Sequence, residues 1–423
     1  MRADVVSLNF NGKNECFEIA FKKPLFEFYE HTTNYKLTNE ILKNENILIK
    51  CDNLETLKYI KKLNFKFDII YIDPPYNSGL KFIYNDCFKE QNLDNNNDIW
   101  LNMMMPRLLL AREILDESGI MFVSIDEREF ASLTILMREI FGRENHIGTL
   151  KWRKKRKPSF LNKHISNVIE YILVFSSHKG KLLKLIGKEL TEKNRPVLNS
   201  SNIISNRILK KNTIAKCPDG TYLKGEYINR TLKIHLDSDA TILNGKLLND
   251  VHVKGRFRVS QEILDNCVFI TKNFGLRRKV LKDEIKFKQA TDDLTVDCES
   301  NEDGEFQLKK IFHGEKVFDF PKPVGLIKHL ISMYQNPKSK IINCLDFFAG
   351  SATLAQAVHE LNQYEVKYKF CCVQNEEAIN NKIKNFTFKN VAEITEKRIN
   401  LVEENNEIFP RCKIFSPICQ NDE

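Results

Sequence analysis

A carboxylate, two prolines and a tyrosine follow one another directly after a short apolar run. The run, residues 69–72, is rich in β-branched and aromatic side chains, a pattern that predicts a buried strand. Asp73, Pro74, Pro75 and Tyr76 come next, and a proline pair ends a strand and fixes φ at two positions. The sequence therefore places a carboxylate and a phenol on a rigid turn at the carboxyl end of a strand, where open α/β sheets bind ligands.

A second stretch pairs an acidic residue with small residues at a predicted strand-to-helix turn. The apolar residues 341–345 predict a buried strand, and Asp346, Phe347, Phe348, Ala349, Gly350 and Ser351 follow it. Residues without bulky side chains let the backbone turn sharply and pass close to a ligand. The amino terminus of the next helix would present free N–H groups and the positive end of the helix dipole to an anionic group.

Alternating strand and helix patterns surround these two turns. In the first half, the apolar periodicity predicts a strand at 47–49, a helix capped by Asp52 and Asn53, the strand at 69–72, a helix at 100–115 that Pro106 kinks or divides, and strands at 120–125 and 168–175 separated by a helix at 130–141. In the second half, helices follow the segment 320–323 and the strands at 341–345 and 370–373, and the last one covers about 391–401. This alternation predicts an α/β fold with parallel strands.

Composition and charge narrow the class of protein. The 423 residues are 42% hydrophobic, which is enough for one large core or two smaller ones. The net charge of +9 favours a polyanionic partner. The eleven cysteines lack metal-ligand spacing, so we expect no metal and a reducing compartment. We find no signal peptide and no apolar run of the roughly 20 residues that a membrane span needs, so we expect a soluble cytoplasmic protein without a membrane partner.

Changes in composition and hydrophobic pattern divide the chain into four regions. Residues 1–45 predict an N-terminal arm with a short hairpin at 7–13, and 46–178 carry the Asp73 turn. Residues 179–305 are polar and rich in turns, which predicts an inserted α+β or β domain. Residues 306–423 return to a compact α/β pattern and carry the Asp346 loop.

The most basic run of the chain precedes this polar region. It places an aromatic residue, Trp152, among the cations Lys151, Arg153, Lys154, Lys155, Arg156 and Lys157. Such a run is either a solvated loop or a surface that contacts phosphates, and we consider both.

Together the two motifs resemble one enzyme family. Asp-Pro-Pro-Tyr followed by Asn is similar to the catalytic signature of amino-methyltransferases that act on nucleic-acid bases. The stretch from Phe348 to Ala352 resembles the Phe-x-Gly-x-Gly loop of that superfamily, with Ala352 in place of the last glycine. The catalytic motif comes first and the cofactor loop last, as in the β class. The resemblance covers most of 46–178 and 310–402 and is strongest to the Mod subunits of type III restriction–modification systems.

This resemblance implies a fold, a cofactor and a set of site residues. The fold is a Rossmann-like S-adenosylmethionine-dependent methyltransferase with permuted motif order and an inserted α+β target-recognition domain. Catalysis would fall to Asp73, Pro74, Pro75 and Tyr76. S-adenosylmethionine would contact Lys322, Pro323, Asp346, Phe347, Phe348, Ala349, Gly350 and Ser351, with Gln374 or Glu377 at the ribose hydroxyls. An initial Asp in the catalytic motif favours adenine N6 over cytosine N4.

The resemblance also implies a mechanism and partners. The Asp73 carboxylate and the Pro74 carbonyl would accept hydrogen bonds from the amino group of a base flipped out of double-stranded DNA, and Tyr76 would stack on that base. Transfer would be direct and would need no metal. A restriction subunit would be a separate chain, and the protein would be a homodimer. The alternatives are an N4-cytosine or RNA methyltransferase and a catalytically silent DNA-recognition subunit, which Ala352 favours.

Overall fold

The chain folds into two units in the computed structural model. The model describes residues 6–77, 96–158, 164–189, 194–229, 232–280, 287–296, 298–337, 339–362, 367–379, 386–404 and 411–419. Unit 1 combines Met1–Gly187 with Gln289–Glu423, and unit 2 is Lys188–Lys288.

Ten helices are assigned in the described residues. They are α1 (Lys13–Phe21), α2 (Asn39–Asn44), α3 (Asn53–Lys62), α4 (Asn96–Ile114), α5 (Phe130–Phe141), α6 (Gln261–Cys267), α7 (Asn301–Ile311), α8 (Val324–Met333), α9 (Thr353–Leu361) and α10 (Val391–Glu404). The strands of unit 1 are β1 (Phe26–Glu30), β2 (Ile47–Lys50), β3 (Phe67–Ile72), β4 (Leu115–Ile125), β5 (His146–Arg153) and β6 (Ile169–Ser176).

Short strands follow in unit 2 and its borders. They are β7 (Ile186–Glu189), β8 (Asn194–Pro196), β9 (Ser205–Leu209), β10 (Ile214–Ala215), β11 (Gly220–Tyr222), β12 (Gly225–Asn229), β13 (Leu232–Leu236), β14 (Ala240–Leu243), β15 (Lys246–Leu247), β16 (Val251–Gly255), β17 (Val268–Ile270), β18 (Leu276–Lys279) and β19 (Phe287–Gln289). Unit 1 then adds β20 (Ile341–Asp346), β21 (Lys367–Gln374) and β22 (Lys413–Cys419).

A nine-stranded sheet forms the centre of unit 1. Its strand order is β1-β22-β2-β21-β20-β3-β4-β6-β5, and the run from β22 to β4 is parallel. β3 and β20 are neighbours, with Cys344 opposite Ile69 and Leu345 opposite Ile70. The turns that follow these two strands therefore lie at the same edge of the sheet, which confirms the predicted α/β fold and brings the two motifs together.

Helix α4 is continuous through Pro106, so this proline does not begin a second helix. Pro106 has no N–H and cannot bond the carbonyl oxygen of Asn102, but Sγ of Cys16 lies 3.8 Å from that oxygen and donates to it. The next carbonyl, that of Met103, accepts a hydrogen bond of 2.7 Å from Arg107 Nη1. The thiol of Cys16 thus takes the place of the donor that Pro106 removes, and the Arg107 side chain gives the adjacent carbonyl a donor as well.

The N-terminal segment is part of unit 1, unlike the arm that the sequence suggested. The predicted hairpin at 7–13 is wrong, because α1 begins at Lys13 and buries Cys16 and Ala20. β1 pairs with β22 in the central sheet, and Phe10, Phe28 and Leu42 join its core. Cys16 and Ala20, one helical turn apart in α1, therefore pack this segment into the core of unit 1.

In its described residues, unit 2 has its own core and two sheets, and β19 pairs with β7 at its border. The sheets have the orders β11-β14-β15-β10-β17-β18-β8 and β12-β13-β16-β9, and α6 is its helix. The sequence placed the inserted domain at 179–305, whereas the compact unit is narrower. Leu182, Leu185 and Leu294 pack on the core of unit 1, which moves both boundaries inward. In the part of the chain that the structure describes, no helix is long and apolar enough to cross a membrane.

Candidate active site

The turn after β3 is held from two sides. Trp100, fully buried in α4, donates a hydrogen bond of 2.6 Å from Nε1 to the carbonyl oxygen of Pro75. Asn77 has a φ of 56°, a left-handed conformation that Asn adopts more readily than most residues. Its Nδ2 donates to Glu129 Oε1 at 2.8 Å. The proline pair and these contacts fix the position of Asp73.

Asp73, Tyr76 and Lys322 meet at this turn. Tyr76 donates from its hydroxyl to Asp73 Oδ1 at 2.6 Å, and Lys322 Nζ lies 3.2 Å from the same oxygen. Lys322 Nζ also donates to the Tyr76 hydroxyl at 2.8 Å. The sequence assigned Lys322 to the cofactor pocket, but its ammonium lies directly on the predicted catalytic residues.

Glu170 and Lys154 complete a group of four charges with Asp73 and Lys322, which we call the charge cluster. Glu170 Oε2 accepts a hydrogen bond of 2.9 Å from Lys322, and Lys154 Nζ lies 3.3 Å from Glu170 Oε1. The side chains of Glu170, Lys322 and Lys154 are 5%, 6% and 14% exposed, and that of Asp73 is 28% exposed. Two carboxylates and two ammonium groups balance one another in a largely buried space.

Burial and the neighbouring charges shift the pKa of Asp73, Glu170 and Lys322. Burial raises the pKa of Asp73, and the negative charge of Glu170 adds to this against the opposing effect of Lys322. Burial acts in the same direction on Glu170, but Lys322 and Lys154 prevail and lower its pKa below the ordinary value. Burial acts to lower the pKa of Lys322, yet Asp73 and Glu170 raise it overall. Burial also raises the pKa of Tyr76 well above its usual range, so Tyr76 stays a neutral phenol.

The loop between β20 and α9 contains two left-handed residues. Gly350 has a φ of 50° and Ala352 a φ of 63°, so Ala352 adopts the conformation for which glycine is favoured. Gly350 N donates to Gln374 Oε1 at 2.7 Å, and Thr395 Oγ1 donates to the carbonyl oxygen of Gly350 at 2.6 Å. β21 and α10 therefore hold the loop in place.

Arg398, which the sequence analysis did not select, anchors the same loop from α10. Its buried guanidinium donates from Nη1 to the carbonyl oxygen and the hydroxyl of Ser351, both at 2.9 Å, and to Thr353 Oγ1 at 3.0 Å. Burial lowers the pKa of Arg398 to about 9. The sequence signal for this role was a cationic residue on the apolar face of the helix predicted at 391–401.

A cleft with a cavity volume of about 210 Å³, open to solvent, lies between the two turns. The predicted site residues that line it are Asp73, Pro75, Lys322, Asp346, Phe347, Phe348, Ala349, Gly350, Ser351, Gln374 and Glu377. Pro74, Tyr76 and Pro323 are not part of its lining, and Pro323 is the N-cap of α8. The structure thus collects most of the predicted residues around one space.

The cleft is also lined by a group of polar residues that contact one another, Asp52, Asn53 and Arg107. Arg107 of α4 donates to Asn53 Oδ1 at 2.5 Å and lies 3.1 Å from Asp52 Oδ2. Asn53 Nδ2 donates to the carbonyl oxygen of Phe347 at 2.6 Å. The sequence analysis interpreted Asp52 and Asn53 only as a helix cap. Both residues also follow β2, a strand parallel to β3, and this position was the sequence signal that they line the cleft.

The chemistry of the lining suits a ligand that carries both a cation and an anion. Burial raises the pKa of Asp346 to about 8, although the N–H of Phe348 donates to its Oδ1 at 3.0 Å. A ligand cation would favour the ionised form of this carboxyl group. The amino terminus of α9 favours an anion, and Phe347, Phe348 and Phe318 supply apolar surface.

The residues of the basic run point in different directions. Lys151 forms an ion pair of 2.9 Å with Asp292, and Arg156 pairs with Asp303. Arg153 is exposed on β5 and Lys155 is partly exposed. Lys154 was predicted to contact DNA, but its ammonium turns inward to Glu170, because alternate side chains leave opposite faces of a strand end.

The fold and this site define an α/β protein with an open cleft where two neighbouring parallel strands end. The model of the DNA methylase family, which covers N6 and N4 enzymes, matches residues 67–385, more than half of the chain. The chain belongs to this family.

Three relatives illustrate the similarity. The Mod subunit of the type III restriction–modification enzyme StyLTI from Salmonella typhimurium is 29% identical, over 93% of this chain and 62% of its own length. The EcoPI Mod subunit of Escherichia phage P1 is 30% identical, over 93% of this chain and 67% of its own length. The type II methyltransferase M.KpnI of Klebsiella pneumoniae is 28% identical, over 90% of this chain and 95% of its own length. The chain thus spans about two thirds of these Mod subunits and nearly all of M.KpnI.

Proposed function

We propose that this protein transfers a methyl group from S-adenosylmethionine to the N6 amino group of an adenine flipped out of double-stranded DNA. The observation that carries the proposal is the position of the Asp73 carboxylate. It lies on a rigid turn beside the cleft that the Asp346 loop also lines, because β3 and β20 are adjacent. Asp73, rather than Ser, at the start of the motif favours adenine over cytosine.

The cleft residues fit this cofactor. Asp346 would face its ammonium group, and the N–H groups at the start of α9 would face its carboxylate. Gln374 and Glu377 both line the cleft, and either would hold the ribose hydroxyls. The bound cofactor would supply an electrophilic methyl group on a sulfonium centre.

The residues of the turn would activate and orient the base. An exocyclic amino group is a poor nucleophile because its lone pair is delocalised into the ring. The Asp73 carboxylate and the Pro74 carbonyl accept hydrogen bonds from it and so direct the lone pair. The bond from Trp100 to Pro75 keeps the turn rigid enough for this orientation to contribute to the rate. Tyr76 offers its ring for stacking on the base.

The partners follow from the same proposal. Unit 2 would recognise the target sequence, a restriction subunit would be a separate chain, and the protein would act as a homodimer. A stand-alone type II methyltransferase is the second candidate, and the match along nearly all of M.KpnI favours it. Against the silent-reader alternative, Ala352 adopts the left-handed conformation that glycine favours, in a loop that hydrogen bonds to Gly350 hold in place.

The test is methyl transfer from labelled S-adenosylmethionine to unmethylated genomic DNA, followed by nucleoside analysis. We expect label in N6-methyladenine. Label in N4-methylcytosine, or in RNA alone, would overturn the proposed substrate, and cofactor binding without any transfer would overturn the proposed activity. Asp73→Ala should abolish transfer while cofactor affinity and DNA affinity stay close to those of the wild type.

A further inference from the structure

Glu170 has no role in the methyl-transfer proposal, yet it is the most buried member of the charge cluster. Its carboxylate lies between the ammonium groups of Lys154 and Lys322, which precede and follow unit 2 in the sequence. The Lys322 ammonium also lies 5.4 Å from the centre of the Trp152 ring, so an apolar wall backs it.

A buried charge is costly unless partners compensate it, and apolar side chains of similar volume often serve stability as well as an ion pair does. The neighbouring strand positions of β6 are filled by such residues, among them Ile172 and Leu173. The presence of four charges where apolar residues could pack therefore indicates that their geometry matters.

The two carboxylate oxygens of Asp73 lie in different surroundings. Oδ1 accepts the hydrogen bond of Tyr76 at 2.6 Å and faces Lys322 at 3.2 Å. Among the described residues, no hydrogen bond or ion pair reaches Oδ2. Lys322 lies closer to Glu170, at 2.9 Å, than to Asp73. Without Glu170, the ammonium would be free to move over both oxygens and to occupy the acceptor that a substrate amine needs.

We propose that Glu170, itself held by Lys154, is a positioning residue for methyl transfer. It keeps the Lys322 ammonium on Oδ1 of Asp73, so that Oδ2 accepts the hydrogen bond from the target amine. This inference rests on the proposed function. It adds an explanation of how Oδ2 of Asp73 stays available to accept a hydrogen bond from the target amine.

The charge of Glu170 also affects the pH dependence. The groups that face Asp73 are Lys322, Tyr76 and Glu170, with Tyr71 of β3 and Asp346 of β20 nearby. Transfer needs the ionised carboxylate, so kcat rises with pH through the pKa of Asp73. Glu170 raises that pKa, and its neutralisation moves the acidic limb of the profile to lower pH.

The decisive variant is Glu170→Gln, which keeps the shape and loses the charge. We expect kcat to fall by about 10- to 100-fold, as misplaced groups typically cause. The KM for S-adenosylmethionine should stay within about twofold, and the acidic limb should shift to lower pH. Glu117→Gln, at an exposed ion pair with Lys181, is the matched control and should change neither quantity.

A binding measurement tests the same idea without turnover. DNA that carries purine in place of the target adenine lacks the amino group. Flipping is easier for the weaker purine·thymine pair, so the readout is the ratio of the two affinities. Glu170→Gln should shift this ratio towards purine DNA, which is a loss of preference for adenine DNA relative to the wild type. Lys154→Met should cause part of this shift, since it removes only the support of Glu170.

The outcomes separate this inference from the proposed function. An inactive wild type would overturn the proposed function itself. An active wild type together with a Glu170→Gln variant that keeps kcat, the acidic limb and the affinity ratio of the wild type would overturn the positioning role, even if its thermal stability fell.

Discussion

Gly304→Ala is expected to impair transfer although the residue lies in α7 and touches no predicted ligand. A Cβ atom at this position would lie 3.0 Å from Pro323 N and 3.1 Å from the carbonyl carbon of Lys322, and it would overlap the carbonyl oxygen of Pro321. All three atoms belong to the backbone, so no flexible side chain can move aside. The backbone that carries the Lys322 ammonium to Asp73 must shift instead.

The magnitude follows from these contacts. Carbon atoms normally stay about 3.5–4.0 Å from such neighbours, so the segment 321–323 or α7 must move by about half an ångström or more. Gly→Ala inside a helix ordinarily stabilises by about 1 kcal/mol. Overpacking costs about 1–3 kcal/mol, so we expect a net loss of stability. A displacement approaching 1 Å at the site lowers kcat by about 100-fold.

The assay compares kcat, cofactor affinity and thermal unfolding for Gly304→Ala and for Gly148→Ala. The second variant is the control, because a Cβ at Gly148 meets nothing within 4 Å. We expect both kcat and the unfolding temperature to fall for Gly304→Ala alone. If Gly304→Ala matched the wild type in both, the close packing of α7 on the Lys322 segment would be refuted.

Three further predictions concern other parts of unit 1. Because the pKa of Asp346 is raised to about 8, the folded chain binds more protons than the unfolded chain between about pH 4 and pH 8, and its stability falls as the pH rises through this range. Asp346→Asn should flatten this fall and raise the unfolding temperature at pH 8 without ligand, while it weakens binding of S-adenosylmethionine. Trp100→Phe removes the donor to the Pro75 carbonyl oxygen and should cost about 1–3 kcal/mol of unfolding free energy in denaturant titrations, with a lower kcat. Arg153→Ala and Lys155→Ala should each reduce the slope of log affinity against log salt by about 1 for DNA of any sequence.

A specific result would contradict each of these predictions. A steep fall in stability between pH 4 and pH 8 that persists in Asp346→Asn would assign the proton uptake to another group. Unchanged unfolding and kcat in Trp100→Phe would show that the turn does not depend on this bond. An unchanged salt slope in both basic variants would favour the solvated-loop interpretation of the run.

The structure agrees with the sequence where the determinants are local. The Asp73 turn follows from a proline pair after an apolar run, and the cap of α3 follows from Asp52, whose Oδ1 accepts from Leu54 N at 2.8 Å. Helix α1 and strand β1 were not foreseen, since a weak apolar pattern is overridden by packing of α1 on α4 through Cys16.

The sequence by itself therefore determined the chemistry that is available: a carboxylate and a phenol on a rigid turn, and a loop of small residues before a helix. These features act over a few residues, through φ restriction, side-chain size and hydrogen bonds to the adjacent backbone. Only the tertiary structure decided that β20 lies beside β3, that Arg398 holds the loop, and that Glu170 joins Lys154 to Lys322. Such contacts depend on strand order and on the pairing of buried charges, which no local pattern in the chain specifies.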